Sequence, residues 1–204
     1  GVALGPEVLQ FNNVISTPYP ATKRRGNQLS SWAAIGLFNG PLPAPVASLA
    51  SLVDPKDVRH SDVLRARSYL HANCAGCHRP DGPTGKAIDL RFSTTTQDMN
   101  VCNGDQEAGD VTFPGASILT PKDPSKSAIS LRIHADGVGQ MPPRGRTLVD
   151  ATATALIDSW IKRPDVCNNF GDSDGDGIPN TIDNCRHVVN PTQADSDRDK
   201  FGDR

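Results

Sequence analysis

Glutamate is almost missing from this chain. Of the 23 acidic residues, 21 are Asp and two, Glu7 and Glu107, are Glu. Glu favours helix interiors, whereas Asp favours caps, turns and metal loops. The bias therefore argues against a long-helix or coiled-coil protein. An excess of positive charge is also absent, since 21 basic residues leave a formal net charge of −2. A nucleic-acid binder usually shows a basic stripe, so that class is set aside. No run of 18 apolar residues occurs, which excludes a membrane-spanning helix. No charged-then-apolar leader opens the chain, and Gly1 is expected to be a processed or trimmed start. Apolar residues make up only 36%, against 17 Pro and 18 Gly in 204 residues. That composition supports one core of roughly 100–150 residues and leaves little for a second. So lean a chain needs staples such as a cofactor, metal ions or disulfides, and the five cysteines show where to look.

Two of them lie in Cys74-Ala75-Gly76-Cys77-His78. This is C-x-x-C-H, the attachment signature of c-type haem: two thiols add to the porphyrin vinyl groups and the adjacent imidazole reaches the iron. The competing readings are a chance match, a redox C-x-x-C, or half a zinc site. A redox motif calls for a βαβ context, and a zinc site calls for a second short-spaced ligand pair; neither is visible. Ser61 can cap a helix starting near Asp62, on which Val63, Ala66, Leu70 and Cys74 share one face. After the motif, Arg79-Pro80-Asp81-Gly82-Pro83 is turn chemistry.

Low-spin haem iron takes a sixth ligand, and Met99, Met141, His60, His71, His134 and His187 are the candidates. Met141 stands out for its setting, Val138-Gly139-Gln140-Met141-Pro142-Pro143. Two prolines stiffen that loop and remove backbone donors, so it can hold a thioether in place without regular structure around it. Further along, Asp150 can cap a helix whose Ala153, Leu156, Ile157, Trp160 and Ile161 form one apolar face.

With these motifs in order, the stretch from Arg65 to Ile161 resembles class I c-type cytochromes. It is most similar to single-haem domains of saccharolytic bacteria and to those found with bacterial pyrroloquinoline-quinone sugar dehydrogenases. The matching strings are Arg65-Ala66-Arg67-Ser68-Tyr69-Leu70, Asn73-Cys74-Ala75-Gly76-Cys77-His78-Arg79-Pro80, Asp123-Pro124-Ser125-Lys126-Ser127, Met141-Pro142-Pro143 and Trp160-Ile161. Weaker likenesses are Leu4-Gly5-Pro6 and Asn27-Gln28-Leu29. The resemblance implies a mainly α fold, a haem c joined to Cys74 and Cys77, and iron ligation by His78 and Met141. It also implies that Trp160 seals the contact between the haem helix and the last helix. Arg132, after a short helix capped by Asp123 or Ser127, would meet a haem propionate or else lie solvated. Some relatives carry another C-x-x-C-H; this chain has one, so one covalent haem is expected.

From Asp172 onward the sequence changes character, with eight Asp and no Glu. Carboxylates at every second position before a tight turn can wrap a hard cation such as calcium. An EF-hand would use Asp172, Asp174, Asp176, the Ile178 carbonyl and Asp183, but expects Glu where Asp183 stands and needs flanking helices, which Gly171 and Pro179 oppose. The run instead resembles the thrombospondin type 3 calcium repeat, including Asp183-Asn184-Cys185 and the next unit's opening, Asn190-Pro191-Thr192-Gln193-Ala194-Asp195. That resemblance implies ligation by Asp172, Asp174, Asp176, Ile178 and Asp183. Asn190, Asp195, Asp197, Asp199 and Asp203 are the second unit's candidates, although Lys200 replaces its turn glycine and Arg198 adds positive charge. The repeat is expected to continue past Arg204. Cys167 and Cys185 bracket the first loop and are expected to pair; Cys102 is then odd, either buried as a thiol, paired with Cys167 instead, or bonded to another chain.

Three parts are expected: an N-terminal extension over 1–60 that packs on the next domain, with Trp32 in the contact; a haem domain over 61–164; and calcium-binding repeats over 165–204. Residues 1–164 carry 17 basic and 14 acidic side chains, or +3, and residues 165–204 carry 4 and 9, or −5. The leading function is one-electron transfer with a redox partner protein, either a dehydrogenase, another redox enzyme or another cytochrome. The rivals are a haem peroxidase or ligand sensor, and a calcium-dependent structural or adhesion module in a homo-oligomer or filament. Haem c and disulfides both fit a periplasmic or bacterial surface location.

Overall fold

The computed structural model describes residues 7–12, 17–102, 112–167, 183–185 and 192–195. The chain divides into two compact units, between Val53 and Asp54.

The first unit holds α1 (Val8–Phe11), the antiparallel pair β1 (Thr17–Tyr19) and β2 (Arg24–Gly26), α2 (Gln28–Ala34) and a single 3-10 turn at Val46–Ser48. Thr17 pairs with Gly26 and Tyr19 with Arg24. Asn27 caps α2, its side chain accepting from the Ser30 N–H at 3.2 Å. Irregular backbone must satisfy its carbonyls by other means, and here a buried asparagine does so. The Asn12 amide donates to the carbonyls of Val46 at 3.0 Å and Leu49 at 2.6 Å, and accepts from Asn27 at 2.8 Å. Trp32 packs inside this unit, its ring 4.4 Å from Phe11 and 6.4 Å from Phe38 between centroids.

The second unit holds α3 (Asp62–Cys74), a 3-10 turn at Pro124–Lys126, α4 (Ala128–His134) and α5 (Ala151–Lys162). The caps read from sequence are present: Ser61 Oγ accepts from Leu64 N at 3.2 Å, and Asp150 Oδ1 from Ala153 N at 3.0 Å. Each satisfies a helix-start donor that would otherwise have no partner. Asp123 caps the 3-10 turn through Ser125 N at 3.0 Å. Ser127 precedes α4 without capping it; its hydroxyl bonds the backbone of Thr120 and Asp123 instead.

α5 packs on both α3 and α4. The five α5 residues expected on one face are all buried, and four of them, Leu156, Ile157, Trp160 and Ile161, meet Val63, Ala66 and Leu70 of α3 in a single core with Leu90, Met99, Val101, Leu119 and Ile133. Arg163, just past α5, reaches back to Asp62 at the start of α3, at 3.1 Å, and pairs with Asp165 at 2.7 Å. Asp158 of α5 accepts from Ser130 Oγ at 2.6 Å and sits 3.0 Å from His134 Nε2, which ties α4 down.

The disulfide joins Cys102 to Cys167, which corrects the expected Cys167–Cys185 pair. Val101 and Val166 are both buried in the core, and that burial brings their neighbours to a Cα separation of 5.6 Å. Proximity in sequence had favoured the nearer cysteine. Cys185 takes no part, and its N–H donates to Asp183 Oδ1 at 2.8 Å.

The bond spans a sequence separation of 65 residues, and constraining the unfolded chain over such a loop contributes about 4 kcal/mol. Replacing Cys102 and Cys167 together by Ser is expected to remove most of that, read as a lower urea midpoint. An unchanged midpoint would show that the bridge adds nothing to the fold.

Candidate functional site

α3 runs straight into the C-x-x-C-H turn. Cys74 is its last residue, and the Cys74 carbonyl accepts from Cys77 N at 3.0 Å and His78 N at 2.8 Å. This tight turn brings both thiols and the imidazole to the same end of the helix. The turn closes on Gly82: a Cβ there would fall 2.3 Å from the Cys77 carbonyl oxygen and 2.8 Å from that of Arg79. Only glycine fits so close an approach.

A strap of irregular chain over residues 88–96 then returns along α3. Leu90 N donates to the His78 carbonyl at 2.9 Å, and Asp89 N to Met99 O at 3.0 Å. Two polar residues on α3 hold the strap. His71 Nδ1 accepts from Phe92 N at 3.0 Å. The buried Arg67 guanidinium donates to the carbonyls of Arg91 at 3.0 Å, Phe92 at 3.2 Å and Thr94, and to Thr96 Oγ1 at 3.2 Å. Burial lowers the Arg67 pKa to about 10, which leaves it charged at neutral pH. The strap also carries its own ion pair. Burial raises the Asp89 carboxyl, but bonds from the Arg91 guanidinium at 2.6 Å and the Thr94 hydroxyl at 2.8 Å outweigh it and hold the group at about 2.

Between α3, the strap, α4 and the loop after it lies a cavity of about 580 Å³. That volume falls in the range of cofactor pockets. Its walls are mainly apolar: Leu70 from α3, Ile88 and Leu90 from the strap, Ile118, and Ile129 and Ile133 from α4. Cys74, Cys77 and His78 line it, and so do Arg132 and Met141 with Pro142 and Pro143. The two halves of the expected site, 63 residues apart in sequence, therefore share one cavity.

None of the other described candidates for a sixth ligand reaches it. Met99 is fully buried in the core. His71 is engaged with the strap, His134 with Asp158, and His60 lies 3.9 Å from Asp57. His187 lies outside the described residues. Trp160 is also absent from the cavity wall; it is buried in the core that α5 shares with α3.

The electrostatics separate the readings of the motif. Burial, then the neighbouring Cys77, pushes the Cys74 thiol up to about 12. A redox or nucleophilic cysteine needs the opposite shift. Burial, then the positive Arg132, holds His78 below the usual histidine range, so the imidazole is neutral and has a lone pair to give. Its Nδ1 is buried with no hydrogen-bond partner among the described residues.

Arg132 does more than line the wall. Its guanidinium lies 5.6 Å from the Phe113 ring centroid and donates to Gly139 O at 3.2 Å. Sequence reasoning gave no role to Arg67, Asp89, Phe113 or Arg146. Arg67, Phe113 and Arg146 find their partners in distant parts of the chain, which leave no spacing signal, and Asp89 finds its own within an irregular strap that has no period to read.

Of the expected calcium ligands, Asp183 and Asp195 are described; Asp172, Asp174, Asp176, Ile178, Asn190, Asp197, Asp199 and Asp203 lie outside the described residues. Asp183 is buried. Its Oδ1 accepts from Cys185 N at 2.8 Å and Gln193 Nε2 at 3.0 Å, while Oδ2 is buried with no hydrogen-bond partner among the described residues. Gln193 and Asn184 stitch residues 183–185 to 192–195, with Asn184 N donating to Gln193 Oε1 at 2.8 Å.

Residues 163–193 match the family model of the thrombospondin type 3 repeat. The chain matches no curated protein and no solved structure. Among the described residues, no helix is long and apolar enough to cross a membrane.

The Asp89 carboxyl titrates below its ordinary value in the fold, so its stabilisation is complete above about pH 4 and lost as pH falls toward 2. Asp89→Asn is expected to cost about 1–2 kcal/mol at neutral pH, allowing for solvent screening at the exposed Arg91. It should also flatten the loss of stability between pH 4 and pH 2 in acid-unfolding curves. A variant whose curve parallels the wild type would remove this ion pair from the account.

Proposed function

We propose that this protein is a one-electron carrier that holds a single c-type haem in the 580 Å³ cavity. The observation that carries the reading is the convergence of Cys74, Cys77, His78 and Met141 on that one apolar space. The donor set fits the group: two thiols at attachment spacing, a neutral imidazole and a thioether. The His78 Nδ1 that lacks a partner and the apolar wall fit it as well.

When bound, a His/Met-ligated haem supplies a reversible one-electron couple at raised potential. The residues would divide the work simply. Cys74 and Cys77 would anchor the group covalently, and His78 and Met141 would supply nitrogen and sulfur donors to its iron, which would leave no site for a substrate. The isoleucine and leucine walls exclude water, which limits the solvent reorganisation that accompanies a change of charge. Arg132 offers a positive group at the wall that can pair with a carboxylate of the cofactor. The proposed partner is a redox enzyme or another cytochrome, outside the cytoplasm.

The repeat match over residues 163–193 favours a second reading for the tail, a calcium-binding structural module. The buried Asp183 Oδ2 supports it, because a carboxyl oxygen out of water needs a hydrogen-bond partner or a cation. The two readings are compatible within one chain: the first concerns the cavity and the second the segment after α5.

The purified protein from a host with haem-attachment machinery is expected to retain haem through denaturing extraction, and Cys74→Ala/Cys77→Ala to release it. Its ferric spectrum should show the weak red charge-transfer band of methionine ligation, and Met141→Ala should lose it. A high-spin ferric spectrum in the wild type would favour a peroxidase or sensor instead. For the tail, isothermal titration is expected to detect calcium binding that Asp183→Ala weakens at least tenfold, the scale of losing one charged ligand. Equal affinity in that variant would remove Asp183 from the site. Calcium removal that leaves the haem potential unchanged would make the tail's role structural.

A further inference from the structure

Met141 sits on a loop without helix or strand, yet that loop is tied down at several points. Its own N–H donates to the Arg132 carbonyl at 2.9 Å. Two residues earlier, Gly139 accepts from the Arg132 guanidinium at 3.2 Å. Gly139 has φ +81°, and a Cβ there would fall 2.1 Å from Thr112 Cγ2 and 3.1 Å from Phe113 Cε2. The loop is thus pressed on residues 112–113, with Arg132 between the Phe113 ring and the Gly139 carbonyl.

The far side of the loop has its own tie. Arg146 Nη1 donates to the Ile133 carbonyl at 2.5 Å, and Nη2 donates to the Ala135 carbonyl. These carbonyls flank the end of α4 and belong to the set that a helix C-terminus leaves without intrahelical partners. One planar guanidinium fork satisfies both, which a lysine ammonium cannot do with the same rigidity. Met141 is therefore bracketed: Arg132 holds it before and at the residue itself, and Arg146 returns the chain to the same helix five residues later.

We propose that Arg146 is the positioning residue that sets how readily Met141 leaves the iron. The inference rests on the electron-carrier reading above. Where Met141 leaves the cavity by its loop lifting from α4, that movement breaks the Arg146 fork. Arg146 itself is absent from the cavity wall but also bonds the carbonyl of Ile133, which lines it, so its action through Met141 has to be separated from any through α4.

A double-mutant cycle isolates that action. Imidazole binds ferric haem only where the sixth position is vacated, so its affinity in the full-length holoprotein measures the ease of Met141 departure. Arg146→Ala is expected to raise imidazole affinity about tenfold, the scale of a charge-assisted hydrogen bond. In a Met141→Ala background the same substitution is expected to change it less than about twofold. Arg146→Gln, which keeps one donor, runs the same cycle if R146A folds poorly, and a raised affinity confined to the Met141 background supports the proposal equally. Unchanged affinity in the Met141 background, or an equal change in both backgrounds, would overturn the role of Arg146 while leaving the carrier reading intact. A wild-type ferric spectrum without the methionine band would overturn Met141 ligation and this inference with it.

Discussion

The packing of α5 against α3 is the contact on which the second unit depends. Leu70, Ile157, Trp160 and Ile161 are each almost wholly buried, and in a chain with 36% apolar residues few other side chains can take their place. That seam fixes the direction of α3, and α3 delivers Cys74, Cys77 and His78 at its end. It also fixes α4 through Asp158, Ser130 and His134, and α4 carries Arg132 and anchors the Met141 loop. Both halves of the cavity are thus referenced to one helix, α5, which contributes no residue to the wall.

Most of the chain around the cavity is irregular, and its backbone groups are satisfied by individual side chains rather than by ladders. Arg67 and His71 hold the strap, Gly82 permits the turn after His78, and Arg132 and Arg146 hold the loop with Met141. Arginine recurs in this role because its fork can satisfy several carbonyls at once while its stem packs against apolar neighbours. Prolines in the turn (Pro80, Pro83) and in the Met141 loop (Pro142, Pro143) lower the unfolded-state entropy that ordering must overcome. A small apolar core can therefore support a long irregular segment, provided that each strap has a charged residue pinning it.

The tail is organised differently. The disulfide joins Cys167, just past α5, to Cys102 and so ties the end of the helical unit to its core. After that point the sequence turns acidic, and the net charge changes from +3 over residues 1–164 to −5 over 165–204. Within the described residues, Asp183 is buried with one carboxyl oxygen hydrogen-bonded and one not.

The local features were legible in the sequence. Ser61 and Asp150 cap their helices as read, because capping is an interaction over three residues. The apolar face of α5 followed from its period, and the turn after His78 from Arg79-Pro80-Asp81-Gly82-Pro83, where Gly82 N donates to the Arg79 carbonyl at 2.9 Å. The repeat likeness was read from Asp172 to Asp203, and the family model matches 163–193, which covers the first unit and the opening of the second. The tertiary structure decided what depends on distant partners. It paired Cys102 with Cys167 rather than Cys185, because burial of Val101 and Val166 brings those cysteines together. It placed Trp160 in the core that α5 shares with α3, and it occupied His71 and His134 with other bonds. It also brought Met141, which its proline-flanked loop had already marked, to the same space as His78, since only packing can do that for a residue 63 positions downstream. Spacing encodes contacts along a helix or turn; which carbonyl an arginine reaches across 11 or 13 residues is set by the folded core.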